Sequence, residues 1–186
     1  MLLLPPSLRE WLPDDHLVYF IADLVEETLD LSGILERYGG PARGTVPYDP
    51  RMLTAVILYA YCTGVFSSRK IARRLEEDVA FRILAANQRP DFRTISDFRK
   101  QHLKALSGLF KQVFRLCKKA RLVKLGKVAV YGTKIQANAS KHKAMSYERM
   151  GKDEARLTAE IEAMFRAAQR ADDEEDALYG ADKTGD

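Results

Sequence analysis

Between Ile95 and Ala120 the apolar residues Ile95, Phe98, Leu106, Leu109, Val113, Leu116 and Ala120 return to one face every three or four positions. That period fits an α-helix and defeats a strand, in which alternate residues share a side. As one continuous helix the segment would extend roughly 40 Å. Arg99, Lys100, Lys104, Lys111, Arg115, Lys118 and Lys119 occupy its remaining faces, and Gly108 is the expected point of any bend. A stripe this long needs partners to cover it.

The rest of the chain supplies them. Asp14 or Asp15 is placed to cap a first helix with Leu17, Val18, Ile21, Leu24, Val25 and Thr28 on one face. Ser32 starts a short helix to Tyr38, ended by Gly39-Gly40-Pro41. Asp49-Pro50 is a strong opening, an N-cap followed by proline at the first helical position. The stripe behind it is Met52, Leu53, Val56, Ile57 and Ala60, closed by Gly64. Ser67 or Ser68 opens a helix to Glu77 with Ile71, Ala72 and Leu75 on one side and Arg69, Lys70, Arg73 and Arg74 covering most of the other. Asp78 caps a further short helix through Ala86, and this close pair is compatible with a helix-turn-helix. After the Asn87–Arg93 loop, Thr94 and Asp97 have the spacing of a capping box. A last helix is expected from Asp153 to Asp176, with Leu157, Ile161, Met164 and Ala168 as its apolar face. Its run Asp172-Asp173-Glu174-Glu175-Asp176 is expected to be solvated surface, because adjacent helical positions point in different directions.

Charge is distributed in blocks. Residues 1–40 carry a balance of −6, residues 41–150 one of +16, and residues 151–186 one of −6. A cationic block of that size is what a phosphate-binding surface requires. With 46% hydrophobic and 30% charged residues in 186, the composition is that of a folded chain with an ordinary core. Cys62 and Cys117 are read as reduced, buried thiols, and no Cys/His spacing suits zinc. Met1–Leu4 lacks the basic leader of a signal peptide. Met52–Ser68 is uncharged but short for a bilayer and broken by polar residues, so no membrane partner is expected.

Lys127 to Ser146 differs in kind. Val128-Ala129-Val130 favours a strand, Gly132 and Thr133 end it, and a basic polar segment follows through Lys134, Gln136, Asn138, Ser140, Lys141, His142 and Lys143. This is the pattern of a strand that delivers Tyr131 to a charged surface. By β-propensity Tyr131 is a packing residue. A covalent nucleophile would need an activating Arg/His constellation, and none is visible.

This block, together with S-S-R-K-I-A-R-R-L-E-E-D at Ser67–Asp78 and R-P-D-F-R-T-I-S-D-F-R at Arg89–Arg99, resembles successive blocks of DDE-class insertion-sequence transposases with an InsH-type N-terminal domain. The resemblance covers essentially the whole chain. It implies a mainly α fold: a helical DNA-binding domain over 1–124 with a helix-turn-helix-like segment, a remnant first strand and basic segment of an RNase H-like domain over 125–150, and an acidic helix with a loose tail over 151–186. The family's wording at the strand end is D-G-T-K, where this chain reads Tyr131-Gly132-Thr133-Lys134. The family chemistry resembles two-metal phosphoryl transfer on Mg²⁺ held by acidic side chains. A neutral phenol, with a pKa of about 10, cannot take a carboxylate's place there. Only 55 residues follow Tyr131, in a helical pattern, so the chain reads as a truncated or decayed transposase with no metal and no activity of its own.

The function expected is recognition of element-end duplex DNA, in the cytoplasm of a bacterial-type cell and associated with the nucleoid. Arg69, Lys70, Arg73, Arg74, Arg89, Arg93, Arg99, Lys100 and Lys104 are the expected contacts. The alternative is an interaction protein that pairs with itself or with intact transposase as an inhibitor, through partly exposed apolar faces of residues 95–120 and 153–168. An enzyme completed by another chain's carboxylates is a third reading.

Overall fold

The computed structural model describes residues 7–38, 47–119 and 147–180. The fold is mainly α, and no strand occurs among the described residues; the expected strand at Val128–Tyr131, with Tyr131 itself, lies outside them. Eight α-helices appear among the described residues: α1 (Leu17–Asp23), α2 (Ser32–Leu35), α3 (Pro50–Cys62), α4 (Ser68–Glu77), α5 (Val79–Leu84), α6 (Phe92–Gln101), α7 (Leu103–Lys119) and α8 (Tyr147–Tyr179).

Helix α3 is the axis of the core. The Asp49 carboxylate accepts from the Arg51 N–H at 2.8 Å with Pro50 in the first turn, as the sequence predicts. Every residue from Leu53 to Tyr61 is buried, so the helix is covered all round rather than along one stripe. Helices α1 and α5 pack on α3 and on each other, and Val18, Ile21, Ile57 and Phe81 meet there with at most 1% of their surface exposed. Gly64 closes α3 at φ +80°, a left-handed conformation that glycine takes without strain.

Three local expectations need correction. His16 caps α1, not Asp14 or Asp15: its ring Nδ1 accepts from the Val18 N–H at 3.2 Å. Asp91, not a Thr94/Asp97 box, caps α6 and accepts from the Thr94 N–H at 2.8 Å. The helix capped by Asp78 stops at Leu84, because Ala86 and Asn87 turn to positive φ.

The long periodic segment is two helices. It breaks at His102, which sits at φ −112°, ψ 18°, rather than at Gly108. The His102 ring is buried against Phe98 and stacked on Tyr38, whose hydroxyl lies 3.3 Å from Nε2. Burying this ring anchors the junction to the α2 region. Of the two helices, α6 packs on α4 while α7 packs on α8.

Helix α8 runs antiparallel to α6 and α7: Arg99 meets Asp172 and Gln169, while Phe110 meets Phe165. Phe165 joins Tyr61, Phe66 and Phe110 in an aromatic cluster, with the Phe110 and Phe165 rings edge-on at 5.5 Å. Edge-on contact suits the ring quadrupoles and adds to the area buried. Ile161, Phe165 and Ala168 belong to the same core as α3. Among the described residues of these two faces, Ile95, Phe98, Leu106, Leu109, Ile161, Phe165 and Ala168 are buried, while Val113, Leu116, Leu157 and Met164 are partly buried against the same core. Of the two cysteines, Cys117 is half-buried and Cys62 is exposed at the end of α3, against the expectation of two buried thiols.

Candidate nucleic-acid interface

The cations of α4 divide into two sets. Ser67 caps the helix, its hydroxyl accepting from the Lys70 N–H at 3.3 Å, which fixes the rotation of every residue that follows. Lys70, Arg73 and Arg74 come out exposed, with Arg74 3.6 Å from Asp78. Arg69 comes out at 7% exposure and points to α8. Its guanidinium reaches Asp176 at 2.7 Å and the Gly180 carbonyl at 3.0 Å, and it lies 4.2 Å over the Phe92 ring.

Helix α6 divides in the same way. Arg93 and Lys100 are exposed, Arg93 standing 3.5 Å from Asp91. Arg99 is 2% exposed and bonds Asp172 at 2.6 Å, with the Phe66 carbonyl at 3.3 Å and the Tyr61 hydroxyl at 3.4 Å. Burial opposes the Arg99 charge, but Tyr61 and Asp172 outweigh it and hold the guanidinium above its ordinary pKa.

The acidic run of α8 is the partner of this inward set. Asp172 accepts from the Ser68 N–H at 2.7 Å and the Ser68 hydroxyl at 2.6 Å. Its carboxylate thus satisfies an orphan amide at the start of α4, where the helix dipole favours negative charge. Glu175 accepts from the Ser67 hydroxyl. Asp172, Glu175 and Asp176 are spaced three and four apart, so they share one face, and only Asp173 and Glu174 stay exposed. The reading of the run as solvated surface is thereby overturned for three of its five acids. So is the expectation that Arg69 and Arg99 lie on an open cationic surface.

Of the expected contacts, Lys70, Arg73, Arg74, Arg89, Arg93, Lys100 and Lys104 are exposed. Helices α4 and α6 pack together, so their outward cations are carried on adjacent elements. Arg69, Arg93 and Lys100 line one small cavity of about 230 Å³ beside Phe92, Ser96 and Asp97. Arg99, Lys100 and Lys104 line a second, of about 740 Å³, between α7 and α8. Lys100 borders both. Arg89 stands apart in the loop before α6, its carbonyl accepting from the Tyr48 hydroxyl at 3.4 Å. Lys111 and Arg166, which line the larger cavity, escaped the sequence reading of the site. Their helical register toward a common groove was the only signal available.

Among the described residues no three His, Cys, Asp or Glu side chains converge to hold a metal ion. The acids that cluster on α8 face serines and arginines instead, so they do not fit a Mg²⁺ site. No described helix is long and apolar enough to cross a membrane. A family model described as Transposase domain (DUF772) matches residues 6–101, a stretch that ends with α6. No curated protein and no solved structure matches the chain.

Proposed function

Because the chain belongs to the transposase-domain family that spans its residues 6–101, we propose that it is the DNA-binding N-terminal part of an insertion-sequence transposase and recognises element-end DNA. The observation that carries this reading is the separation of cations on α4 and α6. Arg69 and Arg99 serve the fold, while Lys70, Arg73, Arg74, Arg93 and Lys100 are held outward on two packed helices. Cations carried outward on packed helices neutralise backbone phosphates and set the protein's register on a duplex. The short α4–α5 pair serves as the helix-turn-helix-like unit, and Arg89 and Lys104 extend the contact at its flanks.

In this reading the protein is of the DDE class with an InsH-type N-terminal domain, works at the nucleoid in the cytoplasm, and does not cut DNA alone. Tyr131 stands where the resembled family places its first metal-holding aspartate. Selection of bound duplexes from a random pool, followed by titration of the winner between roughly 50 and 200 mM salt, tests it. An enriched sequence whose affinity falls steeply with salt is expected. Absence of binding, or binding indifferent to salt, would remove the proposal.

A further inference from the structure

The groove between α7 and α8 is built from two matching registers. Lys104, Ser107, Gly108 and Lys111 face it from α7, and Glu162, Phe165, Arg166 and Gln169 face it from α8, each set at spacings of three, one and three residues. Leu103 stands at its edge with 47% of its surface exposed. At Gly108 a Cβ would meet nothing within 4 Å, so the missing side chain leaves the groove open there. The volume of about 740 Å³ is that of a small-molecule site.

Charge decides what fits. Arg99 is paired with Asp172, and Arg166 lies 3.6 Å from Glu162. Among the described residues no acid pairs with Lys100, Lys104 or Lys111, which leaves three positive charges around an apolar patch made by the exposed Leu103, with the edge of the buried Phe165 at its floor. Residues 120–146, which join the two helices, contain Arg121, Lys124, Lys127, Lys134, Lys141 and Lys143 and no acid.

We infer that this groove takes an unpaired nucleotide of a nucleic-acid strand, its base lying on Leu103 and the edge of Phe165 and its phosphates on Lys104 and Lys111. The inference rests on the DNA-binding reading and deepens it. A duplex backbone could use the lysines but is too wide to bring a base onto the apolar patch. An unpaired nucleotide brings both an apolar face and charge.

The test uses the full chain and anisotropy with four probes of one sequence: a duplex, the single strand, the single strand with abasic sites and intact phosphates, and the free mononucleotide. The single strand is expected to bind about tenfold or more tightly than its abasic form, with the mononucleotide far weaker. Gly108→Leu, whose Cβ would meet nothing within 4 Å and whose side chain fills the groove, is expected to abolish that difference, to leave duplex binding unchanged and to leave thermal unfolding unchanged or raise its midpoint. Leu103→Glu, at an exposed site, provides the same loss independently of any packing change. Equal binding of the intact and abasic strands overturns the inference, as does indifference to both variants or equally tight binding of the mononucleotide. If the duplex binds with steep salt dependence and these contrasts are absent, only the groove assignment falls. If no nucleic acid binds at all, the broader reading falls with it.

Discussion

Arg99 on α6 and Asp172 on α8, 73 residues apart in the chain, meet at 2.6 Å with side-chain exposures of 3% and 4%. Removing one partner of a buried pair leaves the other charge uncompensated, which costs about 3–5 kcal/mol. Asp172→Ala also strips the Ser68 N–H of its acceptor. Urea denaturation of this variant is expected to show a loss in that range. The double variant Arg99→Met/Asp172→Leu is expected to be more stable than Asp172→Ala, since it leaves no lone charge. A loss under about 1 kcal/mol for Asp172→Ala would mean that α8 does not dock on α4 and α6 in solution.

Neighbouring residues on α4 are expected to behave in opposite ways. Arg69→Ala removes the Asp176 pair, the Gly180 bond and the stacking on Phe92, so it lowers the melting temperature. Lys70→Ala and Arg73→Ala, at exposed sites, leave melting unchanged but each reduces the salt slope of DNA binding by about one. Melting curves and salt titrations of the three variants check this, and equal effects at all three would contradict it.

His102 supplies a pH dependence. Burial, with Arg37 nearby, holds its pKa below the ordinary 6.5. The unfolded chain therefore takes up the proton first as pH falls. The contribution is fully present above pH 6.5 and is lost progressively below it, down to the folded-state pKa. Denaturation midpoints measured from pH 7.5 downward are expected to fall more steeply for the native chain than for His102→Phe between pH 6.5 and 5. Parallel curves would show that this ring is not the titrating group.

Asp91→Ala removes the cap of α6 and is expected to cost about 1 kcal/mol. Hydrogen bonds from the Thr94 N–H and hydroxyl and the nearby Arg93 outweigh burial, so the Asp91 carboxyl lies below its ordinary 3.8. Its contribution is present at neutral pH and is lost as pH falls below 3.8 toward the lowered value. Stability of Asp91→Ala and the native chain compared at pH 7 and pH 3 checks both statements.

What could be read in advance was what chemistry sets within a few residues. Asp49, Ser67 and Asp78 each cap a helix at the expected place, because a cap needs only an oxygen two or three positions from an orphan amide. His16 was missed because an imidazole seldom takes that part. The break at His102 was hidden because the apolar period continues through it, and only contact with the distant Tyr38 shows why the helix stops there. The fates of Arg69 and Arg99 were illegible for the same reason. Their sequence neighbours look alike, and the acids that claim them come from the far end of the chain. The acidic run itself held a partial clue, since Asp172, Glu175 and Asp176 fall on one side of a helix at spacings that were available to count.

The antiparallel pairing of α7 with α8 has one more consequence. It brings together two stretches that lie far apart in the sequence, and the entropic penalty of closing such a separation rises only by about 0.6 kcal/mol for each doubling of its length. The α7–α8 contact therefore costs the fold little more than a contact between near neighbours in the chain.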